Sequence, residues 1–283
     1  MKKGLVVEGG AMRAVFVSGC MDALLDNNIE FDYFIGVSAG LANGASFISK
    51  QPKRNIEIAT EFCNDKRYMG FRNFFDRQNK SYFGIDFMFR VIPQILKPFD
   101  YETFNNFSGE VIAVVSNVET GKAEYHNLLG NPHQEDFLIA SCSLPMMFPV
   151  RTIDGKDYLD GGLCDPIPIR RAIEDGCDKI LVLLTREYGY LKKAEFADRA
   201  IIKLLKNKTK FVNAILRRPK VYNYSMDIVD RLEASGKIKV VRPKCTKDFS
   251  RTEKDVDKMW KLYHEGYQAV VNRIDEIREY FNQ

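Results

Sequence analysis

Short apolar runs, separated by glycine-rich turns and longer amphipathic stretches, set the pattern of this chain. Gly4 to Val7 has the length of a buried strand, and Phe31-Asp32-Tyr33-Phe34-Ile35 is a second strand-like run. Between them, Glu8-Gly9-Gly10-Ala11-Met12-Arg13 reads as a glycine turn opening a helix that runs to about Asp26, where Asn27-Asn28 ends it. A helix-like run from Leu41 to Ser49 follows the second strand. This alternation predicts a parallel sheet with helices on its faces. Further strands are expected at Val111 to Asn117 and Ala123 to His126, joined by the turn Glu119-Thr120-Gly121-Lys122. A hairpin about Asp154-Gly155 is expected to link Pro149 to Ile153 with Tyr158-Leu159. Arg170 to Asp175 reads as a short helix, Lys179 to Leu184 as a buried strand and Ile238 to Val241 as a last, edge strand. From Val256 to Phe281 apolar residues recur at three-and-four spacing, which predicts an amphipathic helix docked on the body of the protein.

Composition narrows the class. At 283 residues, 45% hydrophobic and 28% charged, the chain supports one large domain or one domain with an appendage. A net charge of +4 neither demands nor excludes an anionic partner. The cysteines at 20, 63, 142, 164, 177 and 245 form no Cys-x-x-Cys pair, which points to reduced, buried thiols in a cytosolic protein. The N-terminal apolar run is too short for a signal peptide and is interrupted by Glu8. No run approaches the length of a transmembrane helix, so membrane contact is expected to be peripheral. Three histidines without metal-like spacing argue against a metal site.

The chemistry concentrates in four segments. Gly36-Val37-Ser38-Ala39-Gly40 lies between strand and helix, the context of a nucleophilic serine raised on a sharp turn. The following helix aims N–H groups and its positive dipole end at the same spot. The glycine turn at Gly9, Gly10 and Ala11 can present N–H groups to an oxyanion, with Arg13 adding charge or bracing the loop. It matches neither a dinucleotide fingerprint nor a P-loop. Asp160-Gly161-Gly162, at a strand end, offers a carboxylate to accept the serine proton, with Asp154, Asp157 and Asp165 as rivals. Ala140-Ser141-Cys142-Ser143-Leu144-Pro145-Met146-Met147-Phe148-Pro149 is a helix broken by proline, and by itself signals only core.

In this order the four segments resemble the patatin-like phospholipases, over about residues 4–185. The resemblance implies an α/β fold, a three-layer α/β/α sandwich with a mostly parallel central sheet. It implies a serine acyl hydrolase cleaving fatty-acyl esters, phospholipase A-like, through a Ser–Asp dyad and an acyl-enzyme, with no cofactor. Ser38 carries over as nucleophile, Asp160 as general base, Gly9, Gly10, Ala11 and Arg13 as the oxyanion loop, and Gly36, Gly40, Gly161 and Gly162 as motif glycines. Residues 1–190 are then expected to form the catalytic domain and 191–283 a mainly helical extension packed on it. Three departures stand out. Ala11 replaces a third glycine, and alanine disfavours positive φ. Ala14 replaces the glycine after Arg13. Asp165-Pro166 stands where the family often has Asn-Pro, placing a second carboxylate where it is expected to raise the pKa of Asp160.

Two other readings remain open: an α/β-hydrolase with a Ser38–Asp160–His264 triad, and a catalytically weak patatin-fold regulatory or lipid-binding protein. The eleven aromatics of residues 67–104 either line an acyl-chain pocket or belong to ordinary core. Residues 191–220 carry ten Lys or Arg against two acidic groups, interleaved with Ile201, Leu205, Phe211 and Ile215. Such a stretch suits an anionic membrane surface or the solvated face of a packed helix. No motif supports nucleic-acid binding. The expected partner is a lipid or acyl-ester substrate, and the expected location is cytoplasmic, peripheral on the inner face of the membrane.

Overall fold

Period-two alternation along the central strands sorts their side chains onto two faces. Leu5, Val7, Phe34, Val111 and Leu181 enter one core cluster, and Val6, Ile35, Ile112, Val114 and Val182 enter another. The computed structural model describes residues 1–75, 81–194 and 196–282. Residues 76–80 of the 67–104 stretch and Glu195 of the basic stretch lie outside the described residues.

The chain begins with β1 (Lys3–Val7), a 3-10 turn (Ala11–Ala14), α1 (Val15–Asp26), β2 (Tyr33–Gly36), α2 (Ala39–Ile48) and α3 (Arg54–Phe62). A 3-10 segment (Phe71–Phe75) and a π-helical segment (Phe87–Leu96) lead to α4 (Tyr101–Asn105), β3 (Glu110–Asn117), β4 (Lys122–Asn127) and α5 (Gln134–Cys142). Then come β5 (Arg151–Ile153), β6 (Lys156–Asp160), α6 (Ile169–Glu174) and β7 (Lys179–Leu183). The rest is α7 (Phe196–Leu204), α8 (Thr209–Ala234), β8 (Ile238–Val241), α9 (Val256–Val271) and α10 (Ile274–Asn282).

The strands form one sheet in the order β5-β6-β3-β2-β1-β7-β8, with β4 also paired to β3. β3, β2, β1, β7 and β8 are parallel, while β4, β5 and β6 run antiparallel to their partners. α6 and α8 supply Ile169, Tyr222, Met226 and Val229 to one face. α1, α5, α9 and α10 supply Phe16, Phe137, Met259 and Ile277 to the other, giving the α/β/α sandwich. β8, from the C-terminal segment, extends the sheet as an edge strand beside β7.

α1 and α9 cross with almost no separation, because each presents a glycine to the other's backbone. A Cβ on Gly19 would lie 2.0 Å from the Tyr263 carbonyl oxygen, and one on Gly266 2.0 Å from that of Phe16. Tyr263 donates to Asp22 at 2.7 Å in the same contact. Residues 191–220 become α7 and the first half of α8, with Ile201, Phe211 and Ile215 buried against Val118, Leu159 and Leu163. The protein thereby covers part of the apolar side of the basic stretch, while Leu204 and Leu216 stay exposed. Cys20, Cys63, Cys142 and Cys177 are buried thiols, whereas Cys245 is exposed. No helix among the described residues is long and apolar enough to cross a membrane.

Candidate active site

The register of β3 brings the serine and the carboxylate together. Gly36, the last residue of β2, is level with Ala113, while Asp160, the last residue of β6, is level with Val115. β4 occupies the other edge of β3 over the same residues. β2 and β6 therefore share one edge of β3, run in opposite directions and end facing each other across Val114. The chain turns away there, so closely that a Cβ on Gly161 would lie 2.2 Å from the Val114 carbonyl oxygen.

Ser38 begins α2 with φ 54° and ψ −129°, a strained backbone for a residue with a side chain. The two elbow glycines are required by close approach. A Cβ on Gly36 would lie 2.7 Å from Leu41 Cα, and one on Gly40 2.5 Å from the Glu8 carbonyl oxygen. The Ser38 N–H donates to Ser141 Oγ at 2.9 Å. Two residues on, the Ser143 carbonyl accepts the Asp160 N–H at 2.9 Å. The end of α5 thus clamps both strand ends. That segment looked like plain core in the sequence; its serines act here through the chain on either side of them.

Asp160 is 2% exposed. Its Oδ1 accepts the Gly162 N–H at 2.7 Å, while Oδ2 has no aligned hydrogen bond among the described residues. Burial pushes the acid up to about 6, against the opposing influence of the Ser38 hydroxyl, the Gly162 N–H, Arg218 and Arg251. The expectation that Asp165 raises this acid is corrected: burial is the cause, and Asp165 turns to Tyr125, whose hydroxyl donates to it at 2.7 Å. The other rivals also lie elsewhere. Asp154 sits on the exposed hairpin tip beside His133, and Asp157 accepts from Thr152.

Beside Ser38 runs the loop at Gly9, Gly10 and Ala11. Gly9 packs against the elbow, where a Cβ would lie 2.9 Å from the Val37 carbonyl oxygen. Ala11 adopts φ 49°, so the position that lost a glycine does hold a left-handed backbone, whereas Ala14 at φ −65° is helical and unstrained. Glu8 anchors the loop from beneath. Its carboxylate accepts the Thr185 N–H at 2.6 Å and the Tyr222 hydroxyl at 2.8 Å, and burial raises its pKa. Arg13 is 7% exposed. Burial, with Arg186 and Arg251 nearby, lowers its pKa to about 10. Arg218 on α8 donates Nε–H to the Gly162 carbonyl at 3.1 Å and so braces the Asp160 loop. Tyr222 and Arg218 lie far along the chain from these motifs, and no local pattern marks them.

Ser38 opens onto two spaces. One is an apolar cavity of about 410 Å³, lined by Met88, Phe89, Ile92, Phe99, Phe104 and Leu138 among others. Tyr68, Phe83 and Tyr101 also reach it, so six aromatics of the 67–104 stretch line this cavity, while Phe71 and Phe75 are exposed. The other is a polar recess of about 60 Å³ that includes Gly9, Gly10, Ala11, Asp160 and Gly162. No histidine lines either space. His264 is exposed on α9 and stacked on Trp260, and His126 is stacked on Phe137. Among the described residues no cluster of His, Cys, Asp and Glu is arranged to hold a metal ion.

Comparison with known proteins bears on the family and the fold. Residues 208–282 match a domain of unknown function, DUF6363. YjjU of Escherichia coli K12 is 26% identical over 189 residues, covering 64% of this chain and 51% of YjjU. Lysophospholipase nte1 of Aspergillus niger is 25% identical over 189 residues, covering 64% of this chain and 12% of nte1. This chain thus spans about half the length of the first relative and a small part of the second. The crystal structure of VipD from Legionella pneumophila shares the fold, with a TM-score of 0.55 at 12% identity, over 97% of this chain and 67% of VipD. The patatin-like phospholipase model matches residues 5–173, more than half of the sequence, and the chain belongs to that family.

Proposed function

We propose that this protein is a serine acyl hydrolase of fatty-acyl esters that works through Ser38 and Asp160. The observation that carries the reading is the placement of Ser38 on a strained elbow, beside a buried carboxylate, at the mouth of an apolar cavity. Ser38 Oγ attacks the ester carbonyl carbon while Asp160 takes its proton. The N–H groups of Gly9, Gly10 and Ala11, helped by that of Ala39, hold the oxyanion. Each such donor is worth about a hundred- to a thousandfold in rate. The bond to the alcohol oxygen then breaks, and the alcohol leaves with the proton from Asp160. Water attacks the acyl-Ser38 carbonyl, gives its proton to Asp160, and Ser38 recovers it as the fatty acid departs. An acid near 6 suits this role, since it is ionised at neutral pH yet basic enough to take a proton.

The apolar cavity supports a long acyl chain as the group transferred, and the lysophospholipase name of nte1 supports a lipid ester. Exposed Phe71, Phe75, Ile95 and Leu96 belong to the same stretch that lines the cavity and supply apolar groups for peripheral contact with a lipid surface, from a cytoplasmic location. The test is fluorophosphonate labelling mapped by peptide mass. The reading expects Ser38 to be labelled in the folded wild type, Ser38→Ala to be unlabelled, and Asp160→Asn to label far more slowly. A folded wild type that stays unlabelled refutes it.

A further inference from the structure

The turn at Gly9 and Gly10 is fastened by two residues beyond the patatin match, Thr185 and Tyr222. The Gly9 carbonyl accepts the Thr185 hydroxyl at 2.8 Å. Thr185 also fills the space beside Gly10, where a Cβ would lie 2.7 Å from its Oγ1. In a trans peptide the carbonyl of one residue and the N–H of the next point in opposite directions. Holding the Gly9 carbonyl on Thr185 therefore fixes the Gly10 N–H in the direction away from Thr185. Glu8 in turn holds Thr185, whose N–H donates to its Oε2 at 2.6 Å. The other oxygen of Glu8 accepts the Tyr222 hydroxyl at 2.8 Å. All three residues of this chain of contacts are buried.

Tyr222 belongs to α8, inside the 208–282 segment that matches a domain of unknown function. The same segment reaches the far end of the glycine turn, because the Arg251 carbonyl accepts the Met12 N–H at 3.3 Å. Arg218, one turn before Tyr222 on the same face of α8, donates to the Gly162 carbonyl at 3.1 Å. The N–H of that same Gly162 donates to Asp160. A single helix thus touches the glycine loop and the acid loop at points about 6 Å apart along its axis.

From this geometry we infer that Tyr222 is a positioning residue, which through Glu8 and Thr185 sets the Gly9–Gly10 peptide against Ser38. The 208–282 segment thereby serves to hold the catalytic loops in place. The mechanism follows from burial. A buried carboxylate that loses a donor is left with an unpaired oxygen. Glu8 then turns toward another donor, Thr185 shifts with it, and the Gly10 N–H loses its aim. Arg218 is one of five cations lining the polar recess, with Arg13, Arg186, Lys192 and Arg251, so replacing it also changes the charge there. The uncharged Tyr222 and Thr185 make the cleaner substitutions.

This inference rests on the hydrolase reading, and the experiment separates the two. Tyr222→Phe deletes the hydroxyl and keeps the ring. On an uncharged ester its kcat is expected to fall about ten- to a hundredfold with KM within about twofold, because a misaimed donor weakens transition-state binding and leaves substrate binding intact. Thr185→Val breaks the next link and is expected to do the same, which also covers the case of a Tyr222→Phe protein that does not fold. The double variant should lose no more than the worse single one, since both act through one peptide. Val229→Ala weakens the same helix from within the core and should lower Tm while kcat, read well below both melting temperatures, is kept. A folded Tyr222→Phe with kcat within about twofold of wild type overturns the inference. So do additive losses in the double variant, or a loss of kcat that Val229→Ala reproduces at an equal fall in Tm. A wild type that neither turns over ester nor labels at Ser38 refutes the hydrolase reading instead. Hydrogen exchange over residues 9–13 then still decides the contact: it should quicken in Tyr222→Phe, and unchanged exchange overturns the inference by itself.

Discussion

Replacing Asp160 by Asn should abolish activity and yet stabilise the protein at neutral pH. The carboxylate is 2% exposed and its acid is raised to about 6, while the ordinary value is 3.8. The folded protein therefore binds this proton more tightly than the unfolded chain does. Stability tied to the group is fully present below pH 3.8 and is lost as pH rises through 6. The gap corresponds to about 3 kcal/mol of penalty on the ionised form above that range. Asn carries no charge at any pH and keeps an oxygen for the Gly162 N–H, now 2.7 Å from Oδ1. It gives up the attraction to Arg218 and Arg251, so the net gain at pH 8 should be about 1–2 kcal/mol, a Tm rise of several degrees. Thermal unfolding of wild type and Asp160→Asn from pH 4 to pH 8 reads this directly. The two curves should be close at pH 4 and separate through pH 6. For wild type, kcat/KM on an uncharged ester should rise over the same range, as Asp160 becomes able to accept a proton. An Asn variant less stable than wild type at pH 8, or a difference independent of pH, would refute the account of a carboxylate held ionised at a cost.

Three further outcomes follow from single contacts. Ser141→Ala removes the acceptor of the Ser38 N–H inside a fully buried site, which should cost about 1–3 kcal/mol and slow fluorophosphonate labelling; unchanged unfolding and labelling would contradict the clamp. Ala11→Gly should keep the label on Ser38 and leave stability equal or up to about 1 kcal/mol higher, because relief of the left-handed strain outweighs glycine's extra freedom in the unfolded chain; a clear loss in denaturant titration counts against it. Gly266→Ala puts a Cβ 2.0 Å from the Phe16 carbonyl oxygen, so α9 must move off α1, at about 1–3 kcal/mol or more, with faster hydrogen exchange along α9 as the readout.

Much of the site was legible in the sequence because its parts are local. A strand followed by Gly-x-Ser-x-Gly and a helix states its own geometry, since Gly36 and Gly40 leave no space for a Cβ against Leu41 and Glu8. The replacement of a glycine by Ala11 flagged a position that does carry a positive φ. The strands at β1, β2, β3 and β7 could be read from apolar runs, because strands buried on both faces need no partner to be recognised.

Other features depended on which distant segments meet, and no local pattern encodes that. Asp160 was one of four nearby carboxylates. What distinguishes it is the shared edge of β3, where β2 and β6 arrive from opposite directions and stop on either side of Val114. Its raised acid comes from that burial and not from its sequence neighbour Asp165. Ser141 gained its role only because α5 ends over the same gap. Arg218 belongs to the basic stretch that suited a solvated helix face, and Arg251 to no motif, yet α8 and the loop before α9 carry them to the recess. Hydrophobic periodicity and glycine turns are properties of a few consecutive residues, so the chain alone determined its strands, its elbow and its glycine loop. The pairing of acid with serine, and the gathering of five cations beside them, are properties of sheet register and helix docking, and only the tertiary structure decided them.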